Sequence, residues 1–467
     1  MWINCAKPWS LAVDILPLVL LRVAFGALML VSTLRFVARG WVETNYIAPL
    51  FHFTYVGFDW VRPLPAPGMY AVFGLLALLS LCIMLGAWYR FATAAFFVLF
   101  TYVELIDKTY YLNHYYFISL LSFLLIFLPL ERAASIDAWR SPERRATSVP
   151  AWTIRVIRLQ LGLVYVFAGL AKLTPDWMLH ALPLRIWLRN HTSLPLIGPL
   201  FDQVWFAYMM SWGGALYDLS IVFLLLWRRT RPFAFLAVIG FHTVTGLLFP
   251  IGMFPWIMIA MTTIFFSGAE LRRALAALRR LRLGLARRGA VSESTEWFTA
   301  SRNMPVSGTA WSRWLRGVLL IGFFTLQMVL PLRHHLYPSD VHWAEEGFRF
   351  SWRVMLVEKT GDAVFLVREP SSGREWTVYP NQYLTYQQEK QMSFQPDMLL
   401  QFADFIEQRF RQQGYADVEV RIEAYVSLNG RPSRLLFDPN VDVTAQPARF
   451  ACAYRAANAA SCANSFT

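Results

Sequence analysis

Nine apolar runs, most of them close to the roughly 20 residues that cross a bilayer, decide what this chain can fold into. They lie at about 12–37, 68–88, 90–106, 115–130, 155–172, 205–227, 231–249, 251–267 and 314–332. Inside hydrocarbon every backbone N–H and C=O must be paired within the protein, so runs of this length are expected as helices. Composition points the same way: the 467 residues are 56% hydrophobic and 16% charged, where an ordinary soluble domain carries about 25% charge. The chain therefore reads as an α-helical polytopic membrane protein with about nine transmembrane helices. The first run is long and no small-residue cleavage site follows it, so it is expected as the first spanning helix and not as a removed signal peptide.

The net charge of +13 is explained by topology and calls for no nucleic-acid partner. Arg132, Arg140, Arg144 and Arg145 follow the fourth run, Arg228, Arg229 and Arg231 the sixth, and the stretch from Arg272 through Arg288 to Arg316 the eighth. Basic connections stay in the cytoplasm. The N-terminus is thus expected inside, and everything after about residue 333 outside. An alanine- and arginine-rich composition with compact loops suggests a bacterial inner membrane, with the periplasm as the outer side. Within the basic connection 269–313, leucine and alanine alternate with arginine, as in an amphipathic helix lying on anionic lipid.

The transmembrane part is expected over 1–335. Over 336–445 the composition becomes that of a small extracytoplasmic α+β domain with a β-sheet. Residues 348–357 and 363–367 alternate like strands, with turns at Gly361-Asp362 or Ser371-Ser372-Gly373. A helix is expected from about Pro396 to Gln413, stopped by Gly414, and a further strand over 418–428 before the turn Asn429-Gly430. Residues 446–467 read as a flexible tail. Of the four cysteines, Cys452 and Cys462 lie on the oxidising side and are candidates to pair. No cysteine and histidine spacing resembles a metal site, so no metal is expected.

Polar residues at membrane depth are costly and are functional candidates. The segment Leu105-Ile106-Asp107-Lys108-Thr109-Tyr110-Tyr111-Leu112-Asn113-His114 sits between two apolar runs, and Lys108 is its sharpest member. Either it snorkels to the headgroups and pairs with Asp107, or it is held in an apolar pocket with a lowered pKa and acts as a base near neutral pH. His242, in the outer half of the seventh run, is either a helix-packing donor or a site residue. His52 and Arg62 fall in the first external connection, and Lys172 and Asp176 end another span. All these groups point to one side of the membrane. Tyr110, Tyr111, Tyr115 and Tyr116 fit an interfacial aromatic belt.

Asp107-Lys108-Thr109 with Asn113-His114, Phe241-His242 followed by Ile251-Gly252-Met253-Phe254, and Phe437-Asp438-Pro439 with Val441-Asp442 resemble the vitamin K-dependent gamma-glutamyl carboxylase family. Leu21-Arg22, Ala168-Gly169 to Lys172, Asp176-Trp177, Gly213-Gly214, Asp218-Leu219-Ser220 and Ser351-Trp352 with Met355 follow in register, and the resemblance covers about residues 15–445. It implies an HTTM-type membrane enzyme that oxidises reduced vitamin K, phylloquinol or menaquinol, to the 2,3-epoxide with oxygen. That oxidation is coupled to carboxylation of protein glutamate with carbon dioxide.

The partners so implied are a lipid quinol, a glutamate-containing protein or peptide, and membrane lipids. In this resemblance Lys108 is the base and His114 and His242 join it in catalysis, while His52, Asp107, Asn113, Arg62 and Met253 fall among the cofactor-binding positions. The chain departs from the animal enzymes in having Tyr111-Leu112-Asn113-His114 where they carry Trp-Asn-Asn-His, and in its shorter C-terminus. Two other readings stay open: a membrane quinone- or lipid-binding protein without catalysis, and an epoxidase without carboxylation. A transporter is disfavoured by the lack of repeated halves.

Overall fold

The computed structural model describes residues 11–284 and 310–445. All nine apolar runs are helical. They form α1 (Leu16–Ala38), α2 (Ala66–Leu85), α3 (Tyr89–Ile106), α4 (Asn113–Ile126), α5 (Trp152–Ala171), α6 (Val204–Leu226), α7 (Arg231–Leu248) and α8 (Phe254–Thr262), followed by α9 (Gly268–Gly284) and α10 (Ala310–Val329). Among the described residues, seven helices are long and apolar enough to cross a membrane, or eight if the segments Phe254–Phe265 and Gly268–Leu278, bent by 120°, count as one span. The expected nine is therefore approximate. The difference lies in α4, with 14 residues, and in α8. Both are short because they are enclosed by protein: Phe117, Ile118, Leu121, Leu124 and Leu125 of α4 are all buried. Backbone so enclosed need not span the full hydrocarbon thickness.

Small residues let the spans approach closely, as membrane helices require in the absence of a strong hydrophobic drive between them. A Cβ added at Gly26 of α1 would lie 2.5 Å from the Met84 nitrogen of α2, and one at Gly169 of α5 would lie 2.7 Å from Leu219 of α6. The starts of α1 and α5 are tied by an antiparallel pair, β1 (Ala12–Asp14) with β2 (Ser148–Pro150). The arginine-rich helix ends gather here, with Arg231 paired to Glu270 at 2.8 Å and Arg272 paired to Asp14. The expected amphipathic helix begins as α9, whereas 285–309 of the basic connection fall outside the described residues.

At the opposite end sits an antiparallel sheet of β3 (Lys359–Glu369), β4 (Arg374–Val378), β5 (Glu419–Leu428) and β6 (Arg434–Leu435), in the order β4-β3-β5-β6. Its inner face, with Phe365, Val367, Val420, Ile422, Ala424 and Val426, packs against Met398, Leu399, Phe402, Ala403 and Ile406 of α12 (Pro396–Gln412). A shorter helix, α11 (Tyr386–Met392), precedes α12 and begins with a Thr385/Gln388 capping box. The expected helix, its Gly414 stop and the strand ending at Asn429-Gly430 are all present.

Two expectations are corrected. Gly361-Asp362 is not a turn but lies inside β3, paired with Val426 and Tyr425; the turn is Ser371-Ser372-Gly373, closed by a bond of 2.9 Å from the Gly373 N–H to the Glu369 carbonyl. Residues 348–357 are not a strand. Phe350, Trp352 and Met355 adopt φ values of 62°, 59° and 51°, left-handed conformations that cost bulky residues energy and persist only when the surroundings impose them. Here the surroundings are aromatic: Phe350 packs on Tyr55, Tyr111 and Tyr116, and Trp352 on Tyr116 and Phe117. The alternation in the sequence reflects rings inserted between rings and no ladder. The tail 446–467, with Cys452 and Cys462, lies outside the described residues, as does Cys5.

Candidate active site

The chain between α3 and α4 is a tight turn built around Asp107. Its carboxylate accepts the Thr109 N–H at 2.9 Å, which caps the single 3₁₀ turn Lys108–Tyr110, and also the Gln388 amide at 2.9 Å, while His52 Nδ1 lies 3.2 Å away. The Lys108 N–H donates to the Phe53 carbonyl at 2.8 Å. Four contacts from three segments thus fix the backbone that carries Lys108. Asp107 and His52 support this turn from behind; neither lines the cavity that Lys108 enters.

The Lys108 side chain is 2% exposed, and its Nζ donates to Asp397 Oδ2 at 2.6 Å. Snorkelling and a pair with Asp107 are thereby replaced by a part-buried contact with the C-terminal domain. Asp397 stands in the first turn of α12, where the helix N-terminus favours negative charge. It is shared: Arg349 reaches the same carboxylate from the strained 348–355 loop at 2.8 Å and 3.3 Å. Burial pushes the Lys108 ammonium below the usual lysine range; Asp397 pulls against this, and Arg349 adds to it. Burial alone would raise the Asp397 carboxyl, but Arg349 and then Lys108 overcome it and hold it well below the usual carboxylate range. Arg349 thus satisfies much of the Asp397 charge, and Lys108 is left with a partner that does not belong to it alone.

Lys108 borders a cavity of about 790 Å³ lined also by Arg35, Tyr110, Tyr111, Asn113, His114, Arg349 and Arg353. Asn113 is oriented by the Tyr111 hydroxyl, which donates to its Oδ1 at 3.1 Å and accepts the Phe350 N–H at 2.8 Å; its own amide donates to the Arg353 carbonyl at 3.3 Å. A second cavity, lined mainly by Val164, Phe241, Phe249, Met258 and other apolar side chains, contains His242, Tyr165, Lys172 and Asp218. His242 Nε2 lies 3.0 Å from the Tyr165 hydroxyl, whereas its Nδ1 is buried without a partner among the described residues. A buried polar nitrogen left open is costly unless something else meets it. The two cavities share Ile251, Phe254, Val354 and Met355 as walls. The Phe254 ring stands between the histidines, 5.8 Å from His114 and 5.7 Å from His242 by ring centres.

The structure therefore brings Lys108, Asn113 and His114 to one cavity and His242 to its neighbour. Lys172 also reaches the second cavity, whereas His52, Asp107, Arg62, Met253 and Asp176 line neither. Arg62 is exposed and lines, with His52, a separate recess beside Pro63 and Phe405. Met253 is packed into the core and lines neither cavity. Lys172 and Asp176 do not pair with each other: Lys172 bonds Asp218 at 2.7 Å, and Asp176 takes Arg431 at 2.8 Å and Asn429 at 2.6 Å from the turn after β5. Asp397, which pairs with Lys108, and Arg349, which shares that carboxylate, gave no local signal in the sequence. Among the described residues no group of three or more His, Cys, Asp or Glu is placed to hold a metal ion.

Comparison with known families gives two adjoining matches. The HTTM domain matches residues 11–269, and the vitamin K-dependent gamma-carboxylase lumenal domain matches residues 312–453. No solved structure matches the chain. The lumenal-domain match places the sheet and α11–α12 outside the cytoplasm, above a membrane-embedded helical bundle. With Lys108 on the turn between α3 and α4, and its carboxylate partner on α12 of that domain, the chain belongs to the vitamin K-dependent gamma-glutamyl carboxylase family.

Proposed function

We propose that this protein couples oxidation of reduced vitamin K by oxygen to carboxylation of protein glutamate, with Lys108 as the base that takes the first proton. The observation that carries this reading is the Lys108 amine, 2% exposed at the wall of a cavity with mixed polar and apolar lining, with an anionic partner already engaged by Arg349. An amine so placed reaches its neutral form at lower pH than a free lysine, as a base working near neutrality must. The chemistry of the apolar cavity suits a quinol ring: aromatic and aliphatic side chains line it, and the open Nδ1 of His242 suits a ring oxygen. When bound, reduced vitamin K with oxygen supplies the strong base that removes the γ-hydrogen of glutamate, which no side chain is basic enough to take.

The residues then have distinct tasks. Lys108 accepts the quinol proton, and Asp397 stabilises the ammonium so formed. Arg349 keeps Asp397 ionised throughout. His242, oriented by Tyr165, holds a ring oxygen by hydrogen bonding, and His114 with Asn113 offers further polar contacts on the Lys108 side of Phe254. The test is to supply purified protein with reduced vitamin K, oxygen and labelled carbon dioxide, and to follow the epoxide by chromatography and label in a glutamyl peptide. Both should form. Epoxide without label in the peptide would leave an epoxidase, and absence of both would leave a quinone-binding protein.

The Asp397 carboxylate raises the Lys108 pKa, so its removal has a defined sign. Asp397→Asn should move the acid limb of the pH profile for epoxide formation to lower pH, because the carboxylate that favours the ammonium is gone. An unmoved limb would mean that Asp397 does not act on the proton-accepting group.

The orientation follows the arginine placement: N-terminus in the cytoplasm of a bacterial inner membrane and active site facing the periplasm. In a chain freed of its four native cysteines, Glu375→Cys on β4 should react with an impermeant thiol reagent in intact cells. Glu143→Cys, in the connection between α4 and α5, should not. Labelling of position 143 alone would reverse the orientation.

A further inference from the structure

Arg35 lies in the last turn of α1, where a cation favours the helix C-terminus. Its guanidinium sits 5.6 Å from the Trp41 ring centre, and its Nη2 would lie 3.7 Å from a Cβ placed on Gly252. Gly252 has φ +63° and opens the approach to α8, so a side chain there would strain the backbone, and its Cβ would sit in van der Waals contact with the guanidinium. Arg35 lines the larger cavity together with Lys108 and His114.

Most of the other cations lining this cavity are paired with a carboxylate or lie at its surface; Arg353, whose buried Nε has no hydrogen-bond partner among the described residues, is the exception. Lys359 pairs with Glu345 at 2.9 Å, Lys108 and Arg349 share Asp397, Arg353 meets His342 Nε2 at 3.2 Å, and Lys390 is exposed. Among the described residues no carboxylate pairs with Arg35. A half-buried guanidinium at the membrane boundary is costly to leave without an anion. Its planar fork matches a carboxylate in two parallel hydrogen bonds.

We propose that Arg35 binds the γ-carboxylate of the glutamyl substrate, an assignment that rests on the carboxylase reading above and names how its acidic substrate is recognised. The chemistry gives this contact a second use. When the γ-hydrogen leaves as a proton, the electron pair it leaves on carbon is shared with the two carboxylate oxygens, and a guanidinium facing them stabilises the added negative charge. The same electron pair then forms the new bond to the carbon of carbon dioxide, whose oxygens take up the charge as the second carboxylate.

The test is direct binding of two fluorescent peptides to the purified full chain in detergent. One is short and apolar with a single central glutamate, and the other has glutamine in its place. The native protein should prefer the glutamate peptide by roughly tenfold, as expected for a charge-assisted bidentate contact. In Arg35→Gln the glutamate peptide should fall to the affinity of the glutamine peptide, and the latter should not change. Arg35→Lys, which keeps the charge and guards against misfolding of the first variant, should keep only part of the preference. If the native protein discriminates and both variants discriminate equally well, Arg35 does not hold the carboxylate, although the carboxylase reading stands. If the native protein does not distinguish the peptides, the acidic-substrate reading itself fails and the role of Arg35 goes with it.

Discussion

Lys108→Ala should lower epoxide formation by about 10²- to 10⁴-fold, the range over which a positioned general base contributes, and carboxylation should fall with it. Both products depend on the first proton transfer, so neither should survive alone. The side chain is almost fully enclosed and its backbone is fixed through Phe53, so truncation leaves a vacated volume beside Asp397 and does not collapse the turn. Lys108→Arg should be as inactive as the alanine variant, because a guanidinium stays protonated at any pH the protein tolerates. The variants should retain the native elution volume in detergent, since the Asp107 contacts that build the turn do not use the lysine side chain.

His242→Ala should reduce epoxide formation by on the order of 10²–10³, the loss expected when one donor aimed at developing charge is removed. Its Nδ1 has no partner among the described residues and its Nε2 is held by Tyr165, an arrangement suited to presenting one ring nitrogen to a ligand in a largely apolar cavity. Tyr165→Phe should cost less, because it loosens the imidazole without deleting it. Thermal stability decides between this role and packing. If His242→Ala melts earlier while the folded fraction turns over at the native rate, the histidine is a helix-packing group.

The helical bundle was legible because hydropathy and length act locally: each apolar run carries its own signal, and arginine placement orders the ends. That Lys108, Asn113 and His114 lie at one cavity was legible for the same reason, since one short connection holds them together. Arg349 and Asp397 were not. They lie 241 and 289 positions beyond Lys108 in the numbering, and Asp397 looks in sequence like any acidic residue in the first turn of a helix. His52 was read as a ligand-contacting residue, yet it faces the back of Asp107, which only the tertiary fold brings near.

The strand assigned to 348–357 failed through a false period of two. Phe348, Phe350 and Trp352 alternate as strand residues do, but Phe350 and Trp352 insert among Tyr55, Tyr111 and Tyr116 and are themselves in left-handed backbone. No pattern of propensity foretells that, because the energy that holds the loop comes from rings supplied by distant segments.

The role of Lys108 as the proton-accepting base is tested most directly by restoring Lys108→Ala with small primary amines and measuring epoxide formation across pH. A free amine that fits the vacated volume can take the quinol proton in place of the side chain. The recovered rate should rise with the concentration of unprotonated amine, and the curves at different pH should fall on one line when plotted against that concentration. Recovery that tracks the protonated amine, or near-native epoxide formation by folded Lys108→Ala with no amine added, would contradict the assignment.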